Sequence, residues 1–570
     1  MGIAASCNMV ERAKSELVEA PQPLSLWLIL WFGALMTLTV GVRVADPTGW
    51  LGSDDVSYYS AAEHLRTGEA IQRVHHHYAR LAVIVPVAVS TWLVGDHSLA
   101  VALPSFVASL CCVALIVVLG RLVWGWWEGL CAATIVSVLP YFRVLSTTGF
   151  PDVHACMWTT AAVILAVLAS RRGRLSHALW YGVACGMTVA LSGSAKMLAA
   201  AGIVAPLFIV WTRAQTTRAQ RALLLASIVG GMLFFGLLEG LFYLWAASDF
   251  GFRVHALQNT HSLPNVFPAS GYYEAETFAE LAWDRLTMFA HPVISGWGVI
   301  AFAFWPAALI VFLLSPKGRG IAIWAVGTYL VVAFMPISFR NGPQPFPKFD
   351  GRNVLFACLP FALCLAWTVR WVAERVSPGS WTPRNWAAAL LAIVVIAYVN
   401  PHELKGFRDR PTGRVGEAVK QAIARLDLPT TSNMFMPASL YIRYRILFPP
   451  DLKSHLRVAV DDDSPPWWQY ASIDILSRAA PLPGPEDAYL LATPRQLMGE
   501  PEYWDYGVSL PGDRLEEWQR ASPIVVINRF QDKTIGPGRS PSDEGEPMLL
   551  LLGPRPAETS VAGNRALAQR

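Results

Sequence analysis

The sequence is poor in charged residues: Asp, Glu, Lys and Arg make up 15% of its 570 residues, whereas 54% are hydrophobic. A soluble globular domain carries roughly 25% charged residues. The polar side chains are therefore too few to cover a water-soluble protein of this size, which excludes a cytosolic enzyme, a disulfide-rich secreted domain and a disordered regulator. The net charge of +4 is small and dispersed and gives no sign of nucleic-acid binding. The composition predicts an α-helical, multi-pass membrane protein.

Cysteine is absent from the long C-terminal part of the chain, since none follows Cys364. This polar part therefore has no disulfide framework and must fold on its hydrophobic core. The sequence Asn-x-Ser/Thr occurs nowhere in the chain, which favours a bacterial protein.

Long apolar runs recur through the first 400 residues. Most are long enough to cross a hydrocarbon core of ~30 Å at a rise of ~1.5 Å per residue. The run 79–94 contains Arg80 and Pro86, is short, and is predicted to lie along the membrane interface. Eleven other runs are predicted to be spans, at 24–44, 99–119, 129–145, 154–170, 178–192, 197–211, 222–247, 292–314, 320–339, 353–369 and 386–399.

The basic residues fall on alternate connections between these spans if 79–94 does not cross. The positive-inside rule then places the N-terminus in the cytoplasm and the C-terminus outside it. The protein is predicted to lie in the inner (cytoplasmic) membrane. The predicted parts are a cytoplasmic tail (1–23), a transmembrane domain (24–399) with a first outer loop (45–98), and a small extracytoplasmic α/β domain (400–570).

The predicted C-terminal domain contains short apolar runs of alternating character. Within it, Arg414–Leu426 is predicted to be a helix. The segments Leu456–Val460, Ala488–Ala492, Ile524–Asn528 and Met548–Leu552 are predicted to be strands. In the first outer loop, an amphipathic helix is predicted near 56–67.

Two adjacent carboxylates, Asp54 and Asp55, follow the first span. Like charges beside a bilayer repel each other, which raises the pKa of one carboxyl group and suits a general base. The alternative is the first turn of a helix, where an Asp caps the backbone and is stabilised by the helix dipole. Asp152, at the outer end of the third span, allows the same two interpretations.

Cations on the predicted outer face point to an anionic partner. Lys196 stands alone in an apolar stretch, where it could neutralise a phosphate near the membrane surface or extend to that surface from a helix end. Arg340, Lys348 and Arg352 lie outside, against the inside-positive trend, and Arg binds phosphate oxygens in pairs. Their alternative partners are lipid or Asp350.

Three consecutive histidines, His75 to His77, precede Arg80. Neighbouring residues point apart on a regular helix or strand, so the three cannot all bind one metal. No metal site is predicted, and a hydrogen-bonding role near the active site is favoured for this segment.

These features occur in the order found in a known family. The acidic pair and Tyr58 follow the first span, a His-containing segment leads into an interfacial helix ending in Leu93-Val94-Gly95, and Pro151-Asp152 and Lys196 follow later spans. Over about residues 24–370, the arrangement resembles the GT-C glycosyltransferases of family 39, the protein O-mannosyltransferase and aminoarabinose transferase class with its RgtA/B/C/D-like relatives.

The resemblance implies an enzyme that moves a sugar from a polyprenyl-phosphate donor to an acceptor outside the cytoplasm, usually with inversion. The acceptor could be a lipid, a glycan or a protein. No cofactor is predicted; a divalent metal is possible but is not predicted. Asp54 matches the acidic residue that acts as base or orients the acceptor, and Asp55 stands where the family often has Glu. Asp152 matches the acidic residue of the second loop. Lys196 and Arg352 lie where the family places cations near the donor phosphate.

Five further residues complete the predicted substrate-binding set or its surroundings: Tyr58, His77, Arg80, Arg340 and Lys348. A polyprenyl tail gains ~0.8 kcal/mol per buried CH₂, so such a donor must be met at the membrane surface. The alternative functions are a membrane transporter or lipid flippase, and a non-catalytic membrane scaffold. A transporter would hold its charges at mid-bilayer, whereas these cluster at one face.

Overall fold

Apolar helices occupy the first part of the chain and a β-sheet occupies the last part. The computed structural model describes residues 26–45, 47–50, 54–71, 76–171, 174–213, 217–262, 278–287, 299–334 and 351–376 of the helical part. In the C-terminal part it describes residues 434–437, 440–441, 445–447, 456–460, 478–492, 517–518, 520, 525–528 and 547–553.

The helical part contains fifteen α-helices in the described residues. They are α1 (Leu26–Ala45), α2 (Asp54–Thr67), α3 (Leu81–Val94), α4 (Ser98–Val123), α5 (Trp126–Val138), α6 (Pro140–Leu145), α7 (Asp152–Arg171), α8 (Leu175–Ala195), α9 (Val204–Arg213), α10 (Arg218–Ala247), α11 (Phe252–Ser262), α12 (Phe278–Thr287), α13 (Phe304–Leu314), α14 (Arg319–Phe334) and α15 (Leu355–Val376). Two 3₁₀ segments, Met197–Ile203 and Val299–Ala303, lead directly into α9 and α13.

Six of these helices, α1, α4, α7, α8, α10 and α15, are long and apolar enough to cross a membrane. The predicted helical membrane architecture is confirmed. The other apolar helices are shorter, and α3, with 14 residues, rises about 21 Å against a core of ~30 Å. Ten of the predicted spans coincide with one described helix or with two segments in sequence, and the span at 386–399 lies outside the described residues.

The predicted span 129–145 is not one continuous helix, so that prediction is wrong in detail. Helix α5 ends at Val138 and α6 begins at Pro140, with Leu139 between them at φ −59° and ψ 130°. Proline disfavours helical backbone in the residue before it and has no N–H to donate to the preceding turn. The short helix α6 therefore leads the chain into the loop that carries Asp152.

Helices α8 and α10 approach each other so closely that their contact requires glycine. A Cβ atom at Gly186 would lie 1.9 Å from the carbonyl oxygen of Ile228, and one at Gly231 would lie 2.1 Å from that of Val183. Small residues permit such backbone approach between membrane helices. The contact holds the middle of α8 against α10.

The C-terminal part forms a six-stranded mixed sheet. Its strands are β1 (Met434–Pro437), β2 (Leu456–Val460), β3 (Ala479–Pro481), β4 (Tyr489–Ala492), β5 (Val525–Asn528) and β6 (Pro547–Leu552), in the spatial order β3-β2-β1-β4-β6-β5. Strands β3, β2, β1 and β4 run parallel to one another, and β6 runs antiparallel to both β4 and β5. Side chains such as Leu490, Trp518 and Leu552 form its core.

The four predicted strands are confirmed to within one residue. Two strands, β1 and β3, are absent from the prediction because each is only three or four residues long and ends in proline, which is rare inside strands. The predicted helix Arg414–Leu426 lies outside the described residues. The strand content of the predicted C-terminal part is confirmed by its sheet.

The C-terminal part contacts α2 through Arg445. Its Nη2 atom donates a hydrogen bond of 2.6 Å to Oε2 of Glu63, and its guanidinium lies 5.3 Å from the centre of the Tyr59 ring. The Arg445 side chain is only 4% exposed. The helix that begins at Asp54 is therefore held on one face by the C-terminal part.

Candidate active site

Four of the predicted charged residues lie together at the ends of four helices. Asp54 and Asp152 stand in the first turns of α2 and α7, where the partial positive charge of the helix N-terminus favours a carboxylate. Lys196 is the residue directly after α8, and Arg352 lies in the turn that precedes α15. The chain thus brings residues up to 298 positions apart into one cluster.

Arg352 joins the two carboxylates. Its Nη2 donates to Oδ2 of Asp54 at 2.7 Å, and its Nε donates to Oδ2 of Asp152 at 3.2 Å. Lys196 Nζ donates to Oδ1 of Asp152 at 2.5 Å and to the carbonyl oxygen of Arg352 at 2.9 Å. Asp152 is therefore held by both cations, whereas Asp54 is held by Arg352.

The cluster is buried to different depths. The side chain of Asp152 is 0% exposed and that of Lys196 9%, while those of Asp54 and Arg352 are 16% and 27% exposed. The Arg352 guanidinium also lies 4.2 Å from the centre of the buried Phe150 ring. Asp54 and Arg352 thus form the accessible side of the cluster, which a substrate could reach.

Gly149 allows the loop before Asp152 to approach α2. A Cβ atom there would lie 2.7 Å from Cγ1 of Val101 and 3.1 Å from Cβ of Asp55. Any larger residue would separate the loop from α2 and α4. The glycine therefore helps to bring Asp152 within reach of the residues on α2.

A third cation, Arg80, lies beside the cluster. Its guanidinium donates a hydrogen bond to the hydroxyl of Tyr58, which is one turn from Asp54 on α2. The His77 ring stands edge-on to that of Tyr58, with centres 5.4 Å apart, and its Nε2 is 3.9 Å from Oδ1 of Asp54. The predicted residues Tyr58, His77 and Arg80 therefore surround Asp54.

The surroundings of Asp54 favour its ionised form. Burial opposes ionisation, but the charge and hydrogen bond of Arg352, with smaller contributions from Arg80 and His76, outweigh it and lower the pKa of Asp54. Burial raises the pKa of Tyr58, so its hydroxyl stays protonated. Three cations, Lys196, Arg352 and Arg80, face two carboxylates, so the cluster carries a positive excess that suits an anionic ligand.

The other predicted residues are placed differently. Asp55 is fully buried beside Gly149 and is not one of the carboxylates that Arg352 joins. Arg340, Lys348 and His75 lie outside the described residues. Within the described ranges, no group of three His, Cys, Asp or Glu side chains is arranged to hold a metal ion. Independence from metal remains a prediction.

Three residues near the cluster were not singled out from the sequence: Glu239, Ser194 and Arg253. The carboxylate of Glu239 accepts a hydrogen bond from Ser194 at 2.5 Å and another from Arg253 at 2.6 Å. The available signal was Glu239 itself, which is the only acidic residue in the apolar helix α10. Its partners could not be identified from the sequence because they lie on other helices.

The fold is similar to that of proteins of known structure. The structure resembles ArnT from Cupriavidus metallidurans bound to undecaprenyl phosphate, with a TM-score of 0.52 and 13% identity over 92% of this chain and 97% of that one. The apo form of the same protein gives a TM-score of 0.48 at 14% identity, covering 83% and 94% of the two chains. The chain thus has the fold of a GT-C glycosyltransferase.

A sequence family matches part of the chain. Residues 84–238 match the family described as dolichyl-phosphate-mannose-protein mannosyltransferase. The archaeal oligosaccharyltransferase AglB from Archaeoglobus fulgidus, in complex with an inhibitory peptide and a dolichol-phosphate, is also similar in structure, with a TM-score of 0.41 and 13% identity over 83% of this chain and 70% of that one. A comparison with curated proteins gives no match. The resemblance to GT-C glycosyltransferases predicted from the motifs is confirmed by the family match over residues 84–238 and by the fold.

Proposed function

We propose that the protein transfers a sugar from a polyprenyl-phosphate donor to an extracytoplasmic acceptor, with inversion at the anomeric carbon. The observation that carries this proposal is the position of Arg352 between Asp54 and Asp152, with Lys196 beside them. One site thus contains carboxylates that can accept a proton and cations that can bind a phosphate. The family match and the undecaprenyl phosphate bound to ArnT support the class of donor.

Asp54 is the proposed base. It is the more exposed of the two joined carboxylates, and its lowered pKa keeps it ionised at neutral pH. In the proposed step Asp54 takes the proton of an acceptor hydroxyl as the hydroxyl oxygen bonds to the anomeric carbon. Neighbouring Tyr58 and His77 offer hydrogen-bonding groups for the sugar or the acceptor.

Lys196 and Arg352 are proposed to hold the donor phosphate. As the bond between the anomeric carbon and the phosphate oxygen breaks, the electron pair leaves with the phosphate, and nearby cations stabilise the charge that develops. Arg352 suits this task because its guanidinium can contact two phosphate oxygens at once. Asp152 then serves to orient the two cations, since it is fully buried and contacts both.

The polyprenyl tail requires a site at the membrane boundary. The proposed orientation places the N-terminus in the cytoplasm and the cluster with the C-terminal domain on the outer side of the inner membrane. All four charged residues lie at helix ends and not at mid-helix, which supports sugar transfer over transport. The acceptor class, lipid, glycan or protein, is left open by this geometry.

The test is release of polyprenyl phosphate from a polyprenyl-phosphoryl sugar by the purified protein, with Asp54→Asn as the diagnostic variant. Asn cannot accept the proton, so turnover should fall by at least about 10²-fold, within the range typical of general-base catalysis. The matched control is Glu374→Gln, a carboxylate on an exposed helix end that pairs with Arg370. Normal turnover by Asp54→Asn in a correctly inserted protein contradicts the proposal.

A further inference from the structure

A buried ionic cluster formed by Glu239, Ser194 and Arg253 adjoins the end of α8. Ser194 Oγ donates to Oε1 of Glu239 at 2.5 Å, and Arg253 Nη1 donates to Oε2 at 2.6 Å. Glu239 is 5% exposed and Ser194 is fully buried. Neither residue touches the carboxylates of the candidate active site in these contacts, so the proposed chemistry does not use them directly.

The position of Glu239 within α10 is unusual. No other charged residue follows Arg221 in this helix of 30 residues. A carboxylate within an apolar membrane helix is costly, even with a partner cation, and such residues commonly serve a function. Its contacts indicate what that function is.

The cluster fixes the last turn of α8. The final carbonyls of a helix lack partners within it, and Arg253 Nη2 donates to one of them, that of Gly193, at 2.6 Å. Ser194, the next residue, is held by Glu239. Lys196 follows with extended backbone at φ −146° and ψ 115°. Holding the last turn therefore sets the direction in which Lys196 leaves the helix.

The same cluster reaches the helix that follows Arg80. The backbone N–H of Ala82, in the first turn of α3, donates to Ser194 Oγ at 3.4 Å. One turn further along α10, the Tyr243 hydroxyl donates to the carbonyl of Tyr78 at 3.1 Å. Tyr78 and Ala82, on either side of Arg80, are thus hydrogen-bonded to α10 directly or through Ser194.

We propose that Glu239 is a positioning residue which, through Ser194, sets the position of Lys196, one of the two cations proposed to hold the donor phosphate, relative to Arg80. This inference rests on the proposed function, because it takes Lys196 to contact that phosphate. Arg253 balances the charge of Glu239 and also holds Gly193. Helix α10 thus controls the position of one of the cations proposed to hold the phosphate.

The test measures the affinity of the full-length protein, in lipid nanodiscs, for undecaprenyl phosphate. Ser194→Ala removes the link to Glu239 without removing a charge and should weaken binding about fivefold, close to the loss of one hydrogen bond. Lys196→Ala should weaken it at least about tenfold. The matched control is Ser170→Ala, which removes another buried hydroxyl, bonded to the carbonyl of Val167, and should leave binding unchanged.

The decisive measurement is the double variant. If Ser194 acts through Lys196, then Ser194→Ala adds little further loss in the Lys196→Ala background. An equal, fivefold loss in both backgrounds indicates a role independent of Lys196 and overturns the inference. Glu239→Gln, which keeps the side-chain length and an acceptor oxygen, should show the same non-additivity and replaces Ser194→Ala if that variant does not fold.

The outcomes separate this inference from the proposed function. Unchanged binding by Lys196→Ala removes the donor site of the proposed function, and the positioning role with it. Weak binding by Lys196→Ala together with normal binding by both Ser194→Ala and Glu239→Gln leaves the proposed function intact and overturns the positioning role alone.

Discussion

Arg352 Nη2 donates a hydrogen bond of 2.7 Å to Oδ2 of Asp54, although 298 residues separate them in the sequence. The contact is the largest influence that lowers the pKa of Asp54 against the opposing effect of burial. The proposed base is therefore ionised over a wide pH range. The charge of Asp54 is also partly neutralised by Arg352, which is proposed to bind the donor phosphate. Binding of the donor would draw Arg352 toward the phosphate and so change the basicity of Asp54.

The pH dependence of transfer should reveal this link. Removing the guanidinium by Arg352→Gln removes the main cause of the lowered pKa of Asp54, so that pKa rises. The base then becomes protonated at a higher pH, and the acidic side of the profile of kcat/KM moves upward. Arg375→Gln, at an exposed helix end, is the control and should leave the profile in place. A profile that keeps its position in Arg352→Gln contradicts the assignment of Asp54.

Asp152 should be important for stability as well as for transfer. It is fully buried and contacts both Lys196 and Arg352, so Asp152→Ala leaves buried positive charge without its carboxylate and should cost about 3–5 kcal/mol. The measurement is the thermal unfolding midpoint in detergent. Adding Lys196→Met to Asp152→Ala should recover part of the loss.

The control for that experiment is Asp96→Ala. Asp96 pairs with Arg66 on the surface, where its side chain is 37% exposed. Exposed ion pairs contribute about 0–1 kcal/mol, so the midpoint should change little. Equal losses in the two alanine variants would contradict the interpretation of Asp152 as a buried counter-ion.

Two adjacent glycines in α10 provide a test of the helix contact. A Cβ atom at Gly231 would meet the Val183 carbonyl at 2.1 Å, whereas Gly230 has no atom within 4 Å of the corresponding position. Gly231→Ala should therefore cost about 1–3 kcal/mol through overpacking. Gly230→Ala should be neutral or stabilising by up to about 1 kcal/mol, because alanine favours a helix. The yield and melting midpoint of the folded protein measure both, and similar values for the two variants would refute the close contact.

The contact of Arg445 with Glu63 should attach the C-terminal part to α2. A double-mutant cycle with Arg445→Met and Glu63→Gln should give a coupling free energy of about 1.5–3 kcal/mol, as expected for a hydrogen bond between charged groups. Hydrogen exchange should also become faster in α2. Arg457→Met, at an exposed position of β2, is the control. Purely additive effects would show that the contact does not stabilise α2.

Much of the helical architecture could be predicted because hydrophobic length is a local property of the sequence. The ends of apolar runs also located Asp54, Asp152 and Lys196. The break at Leu139 was visible as Pro140, yet the surrounding run is apolar enough to suggest a continuous span. Strand β1 lacks the alternation of apolar and polar residues that marks a strand, since its four residues are all buried.

The contacts between distant elements could not be predicted in the same way. Glu239 is visible as a charge in an apolar helix, but its link to Ser194 depends on how closely α8 and α10 pack. The position of Arg352 between two carboxylates depends on three separate helix ends. The types of residue in the cluster follow from the sequence, whereas their pairing follows from tertiary structure.

The order of strands in the sheet has a consequence for biogenesis. Strand β6 lies between β4 and β5, although it is the last of the six along the chain. Strands β4 and β5 therefore cannot be joined until residues 547–552 have left the ribosome and reached the same compartment. The sheet is completed only after this strand has been synthesised, so a chain cut short before it would leave unpaired edges on β4 and β5.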